Sequence, residues 1–335
     1  MTKRKNGIKL STILLLIAGV LFCVITPRVN QGYSMMVMNV ALIYAIASYG
    51  LSVMLGMGGQ LSFATVSFMG VGAYITANLC TGRQGLVVNS FAALLLSIVV
   101  SALLAYLLGL VLFRLKGTYF TFATIGLVQI AWCFYLNYKP LFGGPDGISG
   151  VPTIKLFGFS PRNYNQWFYI LIVFVLLTAI VVEMIRRSQL GRSLAAIRDD
   201  EIAAQTLGVN VFMTKVIAFT IAGAMAGLSG SLYAMHSQFV SSDMFTFERA
   251  TIYIIMVMLG GVNNTVGVFL GSVLVTMLPE WLRGMQQYLQ LIYGVGVILL
   301  MVFMPMGLAG LASSLSRSLK KRLHAKPAVA KGVSK

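Results

Sequence analysis

Ser188 to Ala234 read SQLGRSLAAIRDDEIAAQTLGVNVFMTKVIAFTIAGAMAGLSGSLYA, and this stretch decides how the rest of the chain is arranged. It mixes Arg192, Arg198 and Lys215 with Asp199, Asp200 and Glu201, directly after Arg186 and Arg187. Long apolar runs lie on both sides. In a chain that is only 10% charged, such a cluster belongs in water, because burying unpaired charge is very costly. The second half turns apolar and small, with Ala222, Gly223, Ala224, Ala226, Gly227 and Gly230. Small residues on a helix let its neighbours approach closely in lipid. The stretch therefore reads as a polar loop between membrane spans, running into a tightly packed span.

Working outward, 58% of the 335 residues are hydrophobic and the mean hydropathy is +0.87, against roughly 45–50% apolar content in soluble domains. The fold class is an all-α polytopic membrane protein, since the apolar runs are continuous rather than alternating as in a barrel. Candidate spans fall at residues 10–26, 35–54, 61–80, 86–113, 117–137, 167–185, 215–236, 248–260, 265–282 and 288–305. That is about ten transmembrane helices, some short or broken. Residues 1–310 are expected to form the membrane domain, with a cytoplasmic loop over 186–214, and 311–335 a basic cytoplasmic tail. The basic N-terminus with its apolar core is read as a retained first span rather than a cleaved signal.

The net charge of +17 would suggest nucleic acid in a soluble protein. Here it follows from Lys and Arg collecting in inner loops and near headgroups, and no nucleic-acid partner is expected. With the N-terminus inside, Lys3, Arg4, Lys5, Lys9, Arg114, Lys116, the loop arginines and the basic tail all face the cytoplasm, most of the 25 basic residues. Making 248–260 re-entrant would strand the tail charges outside, so both termini are expected inside.

Several chemistries are excluded. Cys23, Cys80 and Cys133 have unrelated spacing, and neither a metal site nor a disulfide framework is indicated. No Ser/His/Asp constellation appears, and His236 near an outer helix end reads as interfacial. Glu183 beside Arg186 and Arg187 reads as an interfacial ion pair. A proton- or sodium-coupled carrier usually needs a carboxylate at membrane depth, and these are scarce, which favours an externally powered translocator over a secondary carrier or channel. The Gly-x-x-x-x-Gly-Lys-Ser/Thr phosphate loop is absent as well, so the chain is not expected to hydrolyse ATP or to act as an enzyme.

Two Gly-rich interruptions occupy matching places in the two halves, GMGGQLSF at 56–63 and GGVNNTVG at 260–267. Broken helices are tolerated at membrane depth where backbone lines a cavity or is buried in protein. Gln60, Ser62, Gly260, Gly261, Asn263 and Asn264 are therefore candidates for a substrate path, close packing being the other explanation. An outer loop, about 138–166, adds Gly143, Gly144 and Asp146, either at the outer mouth or in a folded surface turn. Within the opening stretch, Asp199, Asp200 and Glu201 crowd the start of a short helix over about 200–207, where acids complement the helix dipole. Ile202, Ala203 and Leu207 give it a small apolar face, and Gly208 ends it.

Arg198-Asp199-Asp200-Glu201-Ile202-Ala203-Ala204, Leu207-Gly208-Val209-Asn210 and Lys215 resemble the coupling-loop motif of branched-chain amino acid ABC-importer permeases of the LivM type. The resemblance continues through 56–74, 114–120, 143–152, 259–280 and 291–310. It implies a permease subunit of a bacterial inner-membrane importer that binds no cofactor itself. ATP and Mg would be used by partner ABC ATPases, contacted through Arg198, Asp199, Asp200, Glu201, Ile202, Ala203, Leu207 and Gly208. A paralogous permease subunit and an extracytoplasmic solute-binding protein are the other implied partners, besides lipid. Thr65, Gln129 and Met304-Pro305-Met306 depart from the family pattern. They leave the solute open between branched-chain or related neutral amino acids and urea, short amides or another small solute.

Overall fold

A computed structural model describes residues 26–27, 32–83, 85, 87–115, 117–155, 160–282, 284, 288, 291–292 and 294–295. The basic N-terminus, Cys23 and the tail lie outside these residues, as do all but a few positions of the expected spans 10–26 and 288–305. The described helices are α1 (Tyr33–Ser52), α2 (Thr65–Thr81), α3 (Ser90–Leu112), α4 (Thr118–Asn137), α5 (Lys139–Phe142), α6 (Tyr164–Arg187), α7 (Gln189–Asp199), α8 (Glu201–Thr206), α9 (Val211–Ser237), α10 (Phe247–Gly260) and α11 (Thr265–Trp281). Among the described residues one pair of two-residue strands, β1 (Ile148–Ser149) and β2 (Phe239–Val240), joins antiparallel with Ile148 opposite Val240.

Local chemistry sets many of the boundaries. Asn89, Asn210 and Asn264 each accept a backbone N–H at the start of α3, α9 and α11, satisfying donors that a helix leaves unpaired at its N-terminus. Among the described residues, five helical segments are long and apolar enough to cross a membrane: Tyr33–Met57, Ser90–Leu112, Thr118–Asn137, Tyr164–Arg187 and Val211–Ser237. The remaining helices include three of intermediate length. At 1.5 Å per residue, α10 is about 21 Å long and α2 and α11 about 25 Å, short of the roughly 30 Å hydrocarbon thickness. The expected span at 61–80 starts only at Thr65, because the Gly-rich interruption before it is not α-helical: α1 widens into a π turn at Val53–Met57 and the chain then runs irregularly.

Layering follows residue size. In α1 and α9 most of the spanning window is buried, 83% and 61%, against 28%, 22% and 28% for α3, α4 and α6. Helix α9 packs on α1, α2 and α3, and α1 also packs on α6 and α11. The small residues of α9 are the reason: a Cβ on Gly230 would collide with the Met69 carbonyl, and one on Gly227 with the Ser101 side chain at 2.5 Å. Buried hydroxyls close polar seams, with Thr76 donating to Ser231 at 2.7 Å and Ser229 to the Ile43 carbonyl at 2.8 Å. Leu95, Leu103, Phe122, Ile130, Val173 and Leu177 face outward from α3, α4 and α6, as lipid-facing side chains do. Cys80 is buried and Cys133 exposed, both as free thiols.

Candidate functional site

Arg186, Arg187, Arg192, Arg198 and Lys215 collect at one end of the bundle, where α6 turns into α7 and α8 leads into α9. The turn at Ser188 is tight. Ser188 Oγ accepts from Gly191 N, and a side chain on Gly191 would strike the Ile185 carbonyl. Glu183 bridges to Arg186 at 2.9 Å and Arg187 at 2.8 Å, as expected from their spacing. Helix α7 then lies against the bundle through Gly191, Leu194 and Ile197.

Asp200 ends α7 and caps α8, its Oδ1 accepting from Ile202 N at 2.9 Å and Ala203 N at 3.0 Å. The short helix closes one residue before Gly208, which takes φ +84°, a conformation glycine adopts without strain. Of its residues only Ala204 is buried. Ile202 is 75% and Leu207 82% exposed. Helix α8 is tied back by Lys215, whose nearly buried Nζ meets Glu201 Oε2 at 2.7 Å. Beside it a cleft of about 520 Å³ opens between Arg114 and Leu115 on one wall and Gln205, Val209 and Phe212 on the other.

Arg198 turns the other way. Its Nη1 donates to the Gly56 carbonyl at 2.8 Å, and its stem lies over Gly59, within 2.7 Å of where a Cβ would sit. With its amide oriented to suit its neighbours, Asn263 donates to the same Gly56 carbonyl at 2.6 Å and accepts from Arg198 Nη1 at 2.8 Å.

The protein-family model described as "Branched-chain amino acid transport system / permease component" matches residues 33–316. The chain belongs to this permease family. It is 32% identical over 318 residues to the high-affinity branched-chain amino acid transport system permease protein LivM of Salmonella typhimurium, covering 88% of this chain and 74% of the relative. The Escherichia coli K12 LivM is 30% identical over the same shares. The autoinducer 2 import system permease protein LsrC of Enterobacter sp. strain 638 is 27% identical over 256 residues, 70% of this chain and 72% of that one. No solved structure matches the chain.

In this permease the sequence candidates fall in three places. Arg198, Asp199, Asp200, Glu201, Ile202, Ala203, Leu207 and Gly208 share the charged end with Gln60, Gly260, Gly261, Asn263 and Asn264, because both Gly-rich interruptions converge there: a Cβ on Gly56 would collide with the Val262 carbonyl. Ser62 lies deeper, in a seam with Leu51, Met54, Thr65, Phe68 and Phe219 too tight for a water molecule. Gly143, Gly144 and Asp146 sit beyond the far end of α4, where Gly150 N and Val151 N donate to the Gln238 carbonyl at the far end of α9. His236, expected at an interface, is buried edge-on to Trp167 at 5.3 Å.

Helix α7 and the inward reach of Arg198 escaped the reading of the sequence. The signal for α7 was present, a Ser188 cap followed by Leu190, Leu194 and Ile197 at helical spacing. Nothing local marked the partners of Arg198.

Proposed function

We propose that this chain is the membrane-spanning subunit of an ABC importer for branched-chain or related neutral amino acids, driven by ATP hydrolysis in partner ATPases. The observation that carries the reading is α8: a capped, six-residue helix at the charged end of an apolar bundle, offering Ile202 and Leu207 to the outside. Exposed apolar side chains on a rigid, charged support suit insertion into a groove on another protein. The positive-inside tendency assigns this end to the cytoplasm. The LivM relatives, named for branched-chain amino acid transport, support the solute class.

In this mechanism a binding protein delivers solute at the end that carries Gly143, Gly144 and Asp146. A second permease subunit completes the path, in keeping with the closed seam at Ser62 inside a single chain. Closure of the ATPases moves α8, and α7 and α9 carry the motion inward. A ligand such as ATP shifts access only by binding one conformation better than the other.

Co-purification tests the reading. Ile202→Asp with Leu207→Asp is expected to leave the permease folded, since both side chains are solvent-exposed, and to abolish retention of an ATPase subunit. Undiminished association and uptake would sink the reading. A second solute class, small non-amino-acid solutes, is favoured by the LsrC relatives. Uptake of labelled leucine competed by isoleucine, urea or a short amide separates the two: competition by isoleucine alone supports amino acids.

A further inference from the structure

Resting on that docking reading, we propose that Arg198 is a positioning residue inside the permease, clamping α7–α8 to both broken helices at once, rather than a contact to the ATPase. It stands in the last turn of α7, one residue before the Asp199–Asp200 corner that starts α8. A displacement of α8 is passed to Arg198 through that corner, beside the Glu201–Lys215 link to α9.

The target of its guanidinium is specific. Gly56 lies in the π turn that ends the most buried spanning segment, where the last carbonyls of a helix lack intrahelical partners. Neighbouring carbonyls there are taken by backbone, Met54 O by Gln60 N and Leu55 O by Gly59 N. The Gly56 carbonyl instead receives Arg198 at 2.8 Å and the Asn263 amide at 2.6 Å. A cation beside a helix C-terminus is also favoured by the helix dipole. Asn263 in turn stands in the turn between Gly261, which ends α10, and Asn264, which caps α11.

Three segments distant in sequence thus meet on one carbonyl: the end of α1, the α10–α11 turn and the end of α7. Hydrogen bonds from an ionised donor are roughly twice as strong as neutral ones. The remaining contact of the guanidinium, Asp199 Oδ1 at 3.3 Å, is long and solvent-exposed. Glycine is required at two positions on the α1 side of the clamp, because a side chain at Gly56 would meet the Val262 carbonyl and one at Gly59 the Arg198 stem. Close glycine contacts let the two breaks slide or separate together while the guanidinium holds them to α7. Helix α1 packs on α6, α9 and α11, so a pull on its end is carried into the bundle core.

The test uses the full chain co-purified with its ATPase, with Cys23, Cys80 and Cys133 replaced by alanine and Val266→Cys as a reporter at the exposed start of α11. Maleimide labelling is timed with and without a non-hydrolysable ATP analogue. In the reporter chain the analogue changes the labelling rate at least about fivefold, the lower end of usual coupling. Arg198→Ala and Asn263→Ala abolish that change while the ATPase stays bound, Arg198→Lys restores part of it, and the double variant is no worse than either single one. Should Arg198→Ala fail to accumulate, Asn263→Ala carries the test, since Asn263 is solvent-exposed and its loss removes hydrogen bonds without opening a core cavity. A retained nucleotide response in the variants overturns the proposal, as does its absence from the reporter chain. Loss of the ATPase in Arg198→Ala alone also overturns it, returning Arg198 to the interface. Retention of the ATPase by Ile202→Asp with Leu207→Asp removes the docking reading beneath it.

Discussion

Gly230 and Gly126 show how differently one residue type is used. At Gly230 an added Cβ would run into the backbone of α2, against the Met69 carbonyl and 3.0 Å from Ala73 N, and backbone cannot rotate away as a side chain can. Gly230→Ala is therefore expected to push α9 off α2 and destabilise the protein by about 1–3 kcal/mol. At Gly126 nothing lies within 4 Å of the same atom, and Gly126→Ala is expected to be neutral or stabilising by up to about 1 kcal/mol. Thermal unfolding of the two variants in the same detergent compares them directly; equal losses would contradict the packing. Lys215 and Glu201 are asymmetric in a related way. The lysine is nearly buried and the glutamate half exposed, so the carboxylate serves chiefly to neutralise a cation that the start of α9 holds inside.

Among the elements, α8 is the least self-sufficient. Six residues are far below the dozen or so that an isolated helix needs, so its existence depends on its cap and on the Glu201–Lys215 bridge. Asp200→Ala removes the acceptor for Ile202 N and Ala203 N and is expected to cost about 1 kcal/mol of local stability. Hydrogen exchange should quicken at Ala203 to Thr206 and stay unchanged within α9. Asp200→Asn should restore most of the protection, because asparagine caps about as well. Helix α10 depends on its surroundings differently: at about 21 Å it cannot cross a bilayer by itself, and its end is held by the turn that meets Gly56.

For the molecule as a whole, the division among the described spanning segments between two largely buried helices and three lipid-facing ones sets where change is tolerated. Leu103 on α3 is 55% exposed, so Leu103→Ala is expected to shift stability by less than about 0.5 kcal/mol. Leu103→Lys places a charge toward lipid and is expected to make membrane insertion less favourable by about 2.5–3.5 kcal/mol. Insertion assays and the yield of folded protein read both. A strong loss from Leu103→Ala would mean that this face is covered by protein instead of lipid.

The sequence by itself determined the class, the placement of most described helices within a few residues, and the extent of α8. Each of these depends on chemistry within a few neighbouring residues: apolar runs of spanning length, an Asp that caps, a Gly that ends a helix. It also carried the family, since ordered motifs survive where pairwise contacts cannot be seen. Only the tertiary structure decided that Gly56 and Asn263 meet, and that Arg198 turns inward to them while Ile202 and Leu207 turn out. Arg198 and Gly56 are 142 residues apart. Their contact follows from how α1, α7 and α10 pack as rigid bodies, and no local spacing encodes that arrangement.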